Sequence, residues 1–477
     1  MKRPSLYAGW LATVLLAGCA QVTPTSLPEV PVASSFKEGP QTTPTAVPLA
    51  GPWWQVYGDA ELDRLEQQLL RNSPDLASAM ARYRQARAAT DAARAAQSPT
   101  VGASANVQRD RQSALRPLRG AGSPDEYNSG TLGLDFSYEV DLWGRIARQV
   151  DAGVASQYAA GADLAWARLS LQTQLADTLF ALRELDDEVQ LISETASAYG
   201  DALALIERRH GQGIASGLDL ARSKNQLEAT RSQLQQSQAQ RAVLEHAIAA
   251  LVGESASSFS IPSHPQRQAP GVPDIPTGVP STLLQRRADI VAAQMRVVAA
   301  GATVGAAKTA FFPSLVLGGQ AGWQSSDLAR FAQMPNLYWA IGPSLAMSLF
   351  DGGRRRAQLA QAQAALDEAG ERYRSTVLSA FVQVEDQLAL LARYGAAAQA
   401  EKLAGDAAGD ALHHAGIRYR QGAASYLEVV TAQTAHLESR RSELQMESRQ
   451  LRASVQLVRA LGGGWQAESE RETSPGS

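Results

Sequence analysis

From Thr131 to Val140 apolar and small or polar residues alternate: Leu132, Leu134, Phe136, Tyr138 and Val140 share one face, Thr131, Gly133, Asp135, Ser137 and Glu139 the other. The pattern returns with Leu337, Trp339, Ile341, Leu345, Met347 and Leu349, set against Tyr338, Ala340, Gly342, Ser344, Ala346 and Ser348. Two weaker runs precede these: Val101, Ala103, Ala105 and Val107, and Leu315, Leu317, Ala321 and Trp323. Alternation over about ten residues predicts strands with one apolar and one wet face, either barrel strands in lipid or sandwich strands on a core. Elsewhere the period is helical. Leu171, Leu175, Thr178, Leu182, Leu185, Val189 and Ile192 step by three and four, as do Val377, Phe381, Val384, Leu388 and Leu391, while Val430, Leu437, Leu444, Leu451 and Val458 fall seven apart. Such stripes favour coiled-coil-like packing.

Proline placement sets the helix lengths. None of the 22 prolines lies between Asp125 and Ile261 or between Ser344 and Ser474. An interior proline destabilises a helix by about 3 kcal/mol, so these blocks read as long helices. The one from Ile146 to about His210 would run roughly 95 Å at 1.5 Å per residue, as a rod or tube.

The chain also matches itself. Asn72-Ser73-Pro74-Asp75-Leu76 and Arg286-Arg287-Ala288-Asp289-Ile290 open alanine-rich helices 214 residues apart, an offset shared by Pro99 and Pro313. Gly213-Ile214-Ala215-Ser216-Gly217-Leu218-Asp219 and Gly422-Ala423-Ala424-Ser425-Tyr426-Leu427-Glu428 match at offset 209, as do Leu251-Val252-Gly253 and Ala460-Leu461-Gly462. Each half reads helix, two strands, very long helix, turn, long helix. The expected boundaries are a signal peptide (1–18), an extended arm (19–52), a first repeat (53–261), a Pro-rich linker (262–282), a second repeat (283–465) and a polar tail (466–477).

Composition narrows the chemistry. The single cysteine, Cys19, excludes a disulfide scaffold, and a formal charge of −3 disfavours nucleic acid as a partner. Lys2 and Arg3 precede the apolar run Leu6 to Ala17, a secretory signal too short to span a membrane. Its end, Leu16-Ala17-Gly18-Cys19, resembles the lipobox of bacterial lipoproteins, which implies lipidation at Cys19. Several acyl chains, each methylene contributing about 0.8 kcal/mol, anchor stably. Ala20 and Gln21 carry no inner-membrane retention signal, so the outer membrane is expected. Processing leaves 42 basic and 47 acidic residues. The Pro-rich arm is expected to bury little surface. Beyond the signal no run reaches 18 apolar residues, so membrane crossing falls to the strands.

Four strands cannot close a barrel, and an open edge in lipid leaves backbone groups unsatisfied. Barrels need at least eight strands, so copies must combine; three give twelve strands. Trp53-Trp54-Gln55, Pro74-Asp75-Leu76, Tyr138-Glu139-Val140-Asp141-Leu142-Trp143-Gly144, Arg286-Arg287-Ala288-Asp289-Ile290, Phe311-Phe312-Pro313, Leu349-Phe350-Asp351-Gly352-Gly353 and Tyr419-Arg420-Gln421-Gly422, in this order, make the chain similar to the TolC-like outer-membrane efflux proteins, in their lipoprotein (NodT-type) branch. The resemblance implies a mainly α protein with a membrane β-barrel: a homotrimer with a twelve-stranded barrel and a periplasmic α-barrel, in contact with outer-membrane lipid. It further implies a passive exit duct for small toxic compounds, fed by a periplasmic adaptor (membrane fusion) protein and an inner-membrane pump of the RND type. Export of polypeptides or metal ions, and a coiled-coil lipoprotein without a pore, are the competing readings.

No catalytic constellation is expected, nor a cofactor or metal. His413-His414 is the only histidine cluster, and adjacent helical side chains diverge by about 100°. Gly211-Gln212-Gly213 has Ser216 where a dinucleotide loop needs its third glycine. Gly213, Gly217 and Gly422 instead read as turns between antiparallel helices, the periplasmic tips. The resemblance carries a pore-narrowing acid ring onto Glu428 and Thr431, of which only Glu428 is acidic, and a gate latch onto Asp219 and Tyr419. Three Glu428 carboxylates around an axis would favour cations. The bland alternative is that Asp219 and Glu428 cap or solvate their helices.

Overall fold

A computed structural model describes residues 27–39, 52–113, 115–117, 120, 122–265 and 271–463. After a 3-10 turn at Trp53–Tyr57 come α1 (Ala60–Asn72), α2 (Pro74–Ala95), β1 (Thr100–Arg111), β2 (Glu126–Val140), α3 (Arg145–Gly211) and α4 (Gly217–Leu251). A short α5 (Pro280–Arg286) leads into α6 (Ala288–Thr309), β3 (Ser314–Ser325), β4 (Leu337–Ala346), α7 (Arg354–Arg420) and α8 (Tyr426–Ala460). The two halves match in element length: 22 residues in α2 and α6, 12 in β1 and β3, 67 in α3 and α7, 35 in α4 and α8. The internal repeat is therefore real. Its offset changes between the paired strands and the long helices, where β2 has 15 residues and β4 only 10.

The chain forms two compact units. One, with Tyr83–Ala160 and Ala293–Tyr373, holds an antiparallel sheet of order β1-β2-β3-β4. Two strand limits differ from the sequence expectation. β2 starts at Glu126 rather than Thr131, because β1 continues to Arg111 and pairs with it through residues polar on both faces, which a hydrophobic pattern does not reveal. β4 stops at Ala346, leaving Met347 and Leu349 outside the sheet. Ser314 pairs with Ala346, so the next partner would be Pro313, which has no N–H to donate.

The other unit contains Glu29–Arg82, Gly161–Ala292 and the chain from Arg374 onward. Leu62, Leu65 and Leu69 of α1 meet Leu175, Leu179 and Leu182 of α3, Ile248 of α4, Val384 of α7 and Val455 and Val458 of α8 in one buried cluster. Phe36 joins it, against the expectation that the arm buries little, and the Lys37 and Glu38 amides donate to the two carboxylate oxygens of Glu385 at 2.8 and 3.0 Å. A small aromatic knob with two backbone amides docks this part of the arm. Arg287 is fully buried, bidentate to Asp289, donating to the Ala460 carbonyl and lying 4.7 Å from the Trp166 ring centroid. Both halves end alike: Gly253 (φ +75°) abuts the Asn72 carbonyl and Gly462 (φ +91°) the Arg286 carbonyl, positions where a Cβ would collide. By length and composition α6 could cross a bilayer, yet Ala288 and Ala292 pack on Ala162 as a core helix does.

Within this core Glu66 is fully buried, and neither carboxylate oxygen has a hydrogen-bond partner among the described residues. Burial pushes its pKa up to about 9, with Gln172 and Arg168 opposing and Asp63 reinforcing the rise. The folded chain thus holds a proton that the unfolded chain loses near the ordinary value of 4.5, so stability falls as pH rises from there to about 9. Glu66→Gln removes this dependence. Its thermal unfolding midpoint in detergent should exceed wild type by a few degrees near pH 8 and match it near pH 4; parallel curves would refute the assignment.

Candidate functional site

Register assigns every strand residue to a face, since paired residues in an antiparallel ladder point the same way. Val101, Ala103, Ala105 and Val107 of β1 align with Phe136, Leu134, Leu132 and Gly130 of β2. These continue into Gly319, Ala321, Trp323 and Ser325 of β3, and on β4 Pro343, Ile341, Trp339 and Leu337 stand opposite Leu317, Gly319, Ala321 and Trp323. One face is therefore apolar across all four strands, and it is uncovered: Trp339 is 72% exposed, Ile341 77% and Val101 70%. A soluble sandwich would bury these side chains. The other face carries Gly102, Ser104, Asn106, Gln108 and Asp110, then Thr131, Gly133 and Asp135, then Gln320, Gly322 and Gln324. Two glycines keep this polar face low. A Cβ at Gly102 would meet the Asp135 carboxylate, and one at Gly133 the Tyr338 hydroxyl, which lies flat over the wall. At the end of the strands that feeds the long helices Trp143 stacks on Phe312 at 4.8 Å and donates to the Pro313 carbonyl, an exposed aromatic pair of the kind that marks a membrane interface.

The second feature is the pair of helix hairpins. Gly213 (φ +75°) stands in the turn after α3, with the Ile214 amide donating to the Arg209 carbonyl, and Gly422 (φ +75°) in the turn after α7, with the Ala423 amide donating to the Arg418 carbonyl. Both are left-handed glycine stops, which an L residue adopts only with strain. Gly217, expected in the turn, is instead the first residue of α4, because Ser216 caps that helix by accepting from the Asp219 amide. Asp219 in turn accepts from the Ser216 hydroxyl. At the matching position Glu428 completes a capping box with Ser425 and pairs with Arg418 at 3.1 Å. Thr431 donates its hydroxyl to the Leu427 carbonyl one turn back. Tyr419 lies between Arg209, whose guanidinium sits 5.4 Å from its ring, and Tyr426 at 5.5 Å. Tyr426, Ile206 and Val429 form the buried seam of the two hairpins. Tyr426 donates to Ser223; burial pushes its phenol pKa up, Ser223 opposes this, and Tyr419 and Asp219 add to it.

Within one chain, then, the predicted ring acid Glu428 completes a capping box, the latch acid Asp219 holds the hydroxyl of the capping Ser216, and the latch tyrosine faces an arginine and a second tyrosine. Sequence reasoning missed Arg209, Arg418 and Tyr426. The repeat offset could have exposed the first two, since Arg209 and Arg418 stand 209 residues apart. Cys19 lies outside the described residues. Among the described residues no group of three His, Cys, Asp or Glu side chains is placed to hold a metal.

Comparison with known proteins meets this geometry. The sequence model of the family described as "Outer membrane efflux protein" matches residues 65–254 and 279–463. The chain belongs to this family. It is 30% identical to outer membrane protein OprJ of Pseudomonas aeruginosa, over 98% of this chain and 97% of that one. It is 32% identical to the pyoverdine export outer membrane protein OpmQ of Pseudomonas putida, over 95% and 96%. The solved outer-membrane channel OprN superposes with a TM-score of 0.83 at 30% identity, covering 93% of this chain and all of that one. The protein is thus an outer-membrane channel subunit of an efflux pump, and not an enzyme. Its uncovered apolar sheet face belongs in the lipid of the outer membrane.

The tips give a first test. Gly213→Ala and Gly422→Ala force a side chain into the left-handed region, at about 1 to 2 kcal/mol each. Amide exchange should quicken in the residues flanking each turn and stay unchanged in the sheet; exchange equal to wild type at both tips would refute the strained-stop reading.

Proposed function

We propose that three copies of the chain close a twelve-stranded barrel whose polar sheet faces form the lumen, and that this conduit passes small toxic compounds delivered by a periplasmic adaptor and an inner-membrane pump of the RND type. The observation that carries the reading is the open four-stranded sheet, apolar on one face throughout and polar on the other. Its outer strands β1 and β4 present unpaired backbone groups, each costing several kcal/mol in hydrocarbon unless a further strand meets it. A small-molecule cargo is supported by the relatives, one described as part of a toluene efflux pump and another as exporting pyoverdine. In this reading Cys19 carries the lipid, and residues 19–52 tether the first repeat (53–261), which the linker 262–282 joins to the second (283–465) ahead of the tail 466–477.

The tips Gly213 to Asp219 and Gly422 to Glu428 would receive the adaptor. Ile214 and Leu218 are 71% and 59% exposed there, apolar side chains that await a partner. Glu428 and Thr431 would border the narrowing of the tube, and Asp219 and Tyr419 would latch neighbouring hairpins across subunits. Arg418 holds Glu428 in the single chain, so opening or assembly must loosen that pair before three carboxylates can form a ring.

Two experiments test this. Ile341→Asp places a charge on the lipid face and should abolish heat-resistant trimers and bilayer conductance, whereas Gln320→Glu on the polar face should leave trimers intact. Loss in both, or in neither, would sink the assignment of faces. Glu428→Gln should lower cation over anion permeability in planar bilayers; unchanged selectivity with lowered stability would leave Glu428 a helix cap and nothing more.

A further inference from the structure

β1 changes character above Val107. Its outward positions run Val101, Ala103, Ala105, Val107 and then Arg109 and Arg111, while its inward positions end in Gln108 and Asp110. The register sets Arg109 opposite Asn128 and Arg111 opposite Glu126, so all four share the lipid side. The Arg109 guanidinium confirms that side by donating to Glu126 at 2.8 Å. Arg111 is exposed and has no ion pair among the described residues. Arg116, in the loop that follows, is exposed too and donates to the Gln112 amide at 3.2 Å. Of the acids nearby, Asp110 alternates to the opposite face of β1, and Asp125 precedes β2, its carbonyl accepting from the Gln112 amide. Among the described strand residues the outward side of this rim therefore holds two guanidinium groups, Arg109 and Arg111, against the one carboxylate of Glu126.

The position of the patch defines its partner. Arg109 stands two residues beyond Val107, about 6.6 Å along the strand, and Arg111 as far again. It lies at the end of the sheet remote from the long helices, hence at the cell exterior. Charges at that height meet neither hydrocarbon nor free solution but the headgroup layer. Guanidinium groups there find their match in phosphate, which they bind through paired N–H donors. We propose that Arg109 and Arg111, with Arg116 beside them, bind the phosphate groups of a phosphorylated glycolipid in the outer leaflet, one site per chain on the continuation of the lipid-facing band. Such a collar fixes the height at which the barrel rides in its membrane, as basic side chains do beside other anionic leaflets.

This inference rests on the lipid-facing reading of the sheet, and the test keeps the two apart. Purified trimers in detergent are mixed with diphosphorylated lipid A, with the same lipid dephosphorylated, or with the diphosphorylated lipid plus excess inorganic phosphate, and retained glycolipid is counted by native mass spectrometry. Wild type should retain the diphosphorylated form about 30-fold more tightly than the dephosphorylated one, from roughly 1 kcal/mol for each of Arg109 and Arg111 near an anionic surface. Arg109→Gln with Arg111→Gln should erase that preference, Arg109→Lys with Arg111→Lys should keep most of it, and Arg71→Ala, on α1, should not alter it. Equal retention by the Gln pair and wild type, or displacement of the lipid by inorganic phosphate, would overturn the proposal. Conductance of the Gln pair should remain normal; if wild type itself neither inserts nor conducts, it is the lipid-facing reading that has failed.

Discussion

Hydrocarbon offers no hydrogen bonds to a peptide group, and the rest of the structure follows from that constraint. A four-stranded sheet has two edges, and neither β1 nor β4 protects its own with charge along the apolar stretch. Pro343 removes only a single donor from β4. Left alone, such a sheet would aggregate or remain outside the membrane. Joined edge to edge with copies of itself it has no edges, so oligomerisation is part of the fold. The same requirement explains the small residues on the polar face: a lumen enclosed by few strands stays open only if Gly102 and Gly133 give way to Asp135 and Tyr338, while Gly322 lets β3 lie close against the β2 backbone at Leu132 and Gly133.

Duplication supplies the helices and then lets the two halves diverge. The closing contact of each repeat, a left-handed glycine against the carbonyl that ends the preceding short helix, is the same in both. The tips are not. Arg418 reaches its own hairpin's Glu428, whereas Arg209, its counterpart, stacks on Tyr419 of the other hairpin. One half thus binds itself and the other binds its neighbour. That asymmetry gives the two hairpins of a subunit a defined pairing, with Tyr426 at its centre, which two identical hairpins would lack.

The sequence revealed what depends on periodicity and concealed what depends on pairing. Alternation located all four strands, and proline gaps with the repeat located the long helices. The start of β2 was hidden because Glu126 to Ser129 are polar on both faces, and the end of β4 because its limit is set by Pro313, the residue before β3. Phe36 was invisible for a similar reason: one aromatic in a Pro-rich arm has no periodic partner, and only the fold brings Glu385 to its neighbours. Glu428 was legible as an acid at a turn, but its capping box and its bond to Arg418 are local geometry that a residue list does not contain. A side chain already committed to a helix start can act on a pore only by leaving it.

The polar groups of the helical core point the same way. Asp186 binds Arg241 at 2.6 Å and Glu188 binds Arg441 at 2.6 Å, both carboxylates almost fully buried, while Ser237 donates to Glu188. Apolar substitutes of equal volume would often be as stable, so such pairs are poor evidence for added stability. They do restrict register. A heptad seam of Leu437, Leu451 and Val458 tolerates a slip by one repeat, but Arg441 finds Glu188 in a single alignment of α8 on α3. In helices of 67 residues, where sliding by a turn changes few apolar contacts, buried charge is what holds the tips level with one another.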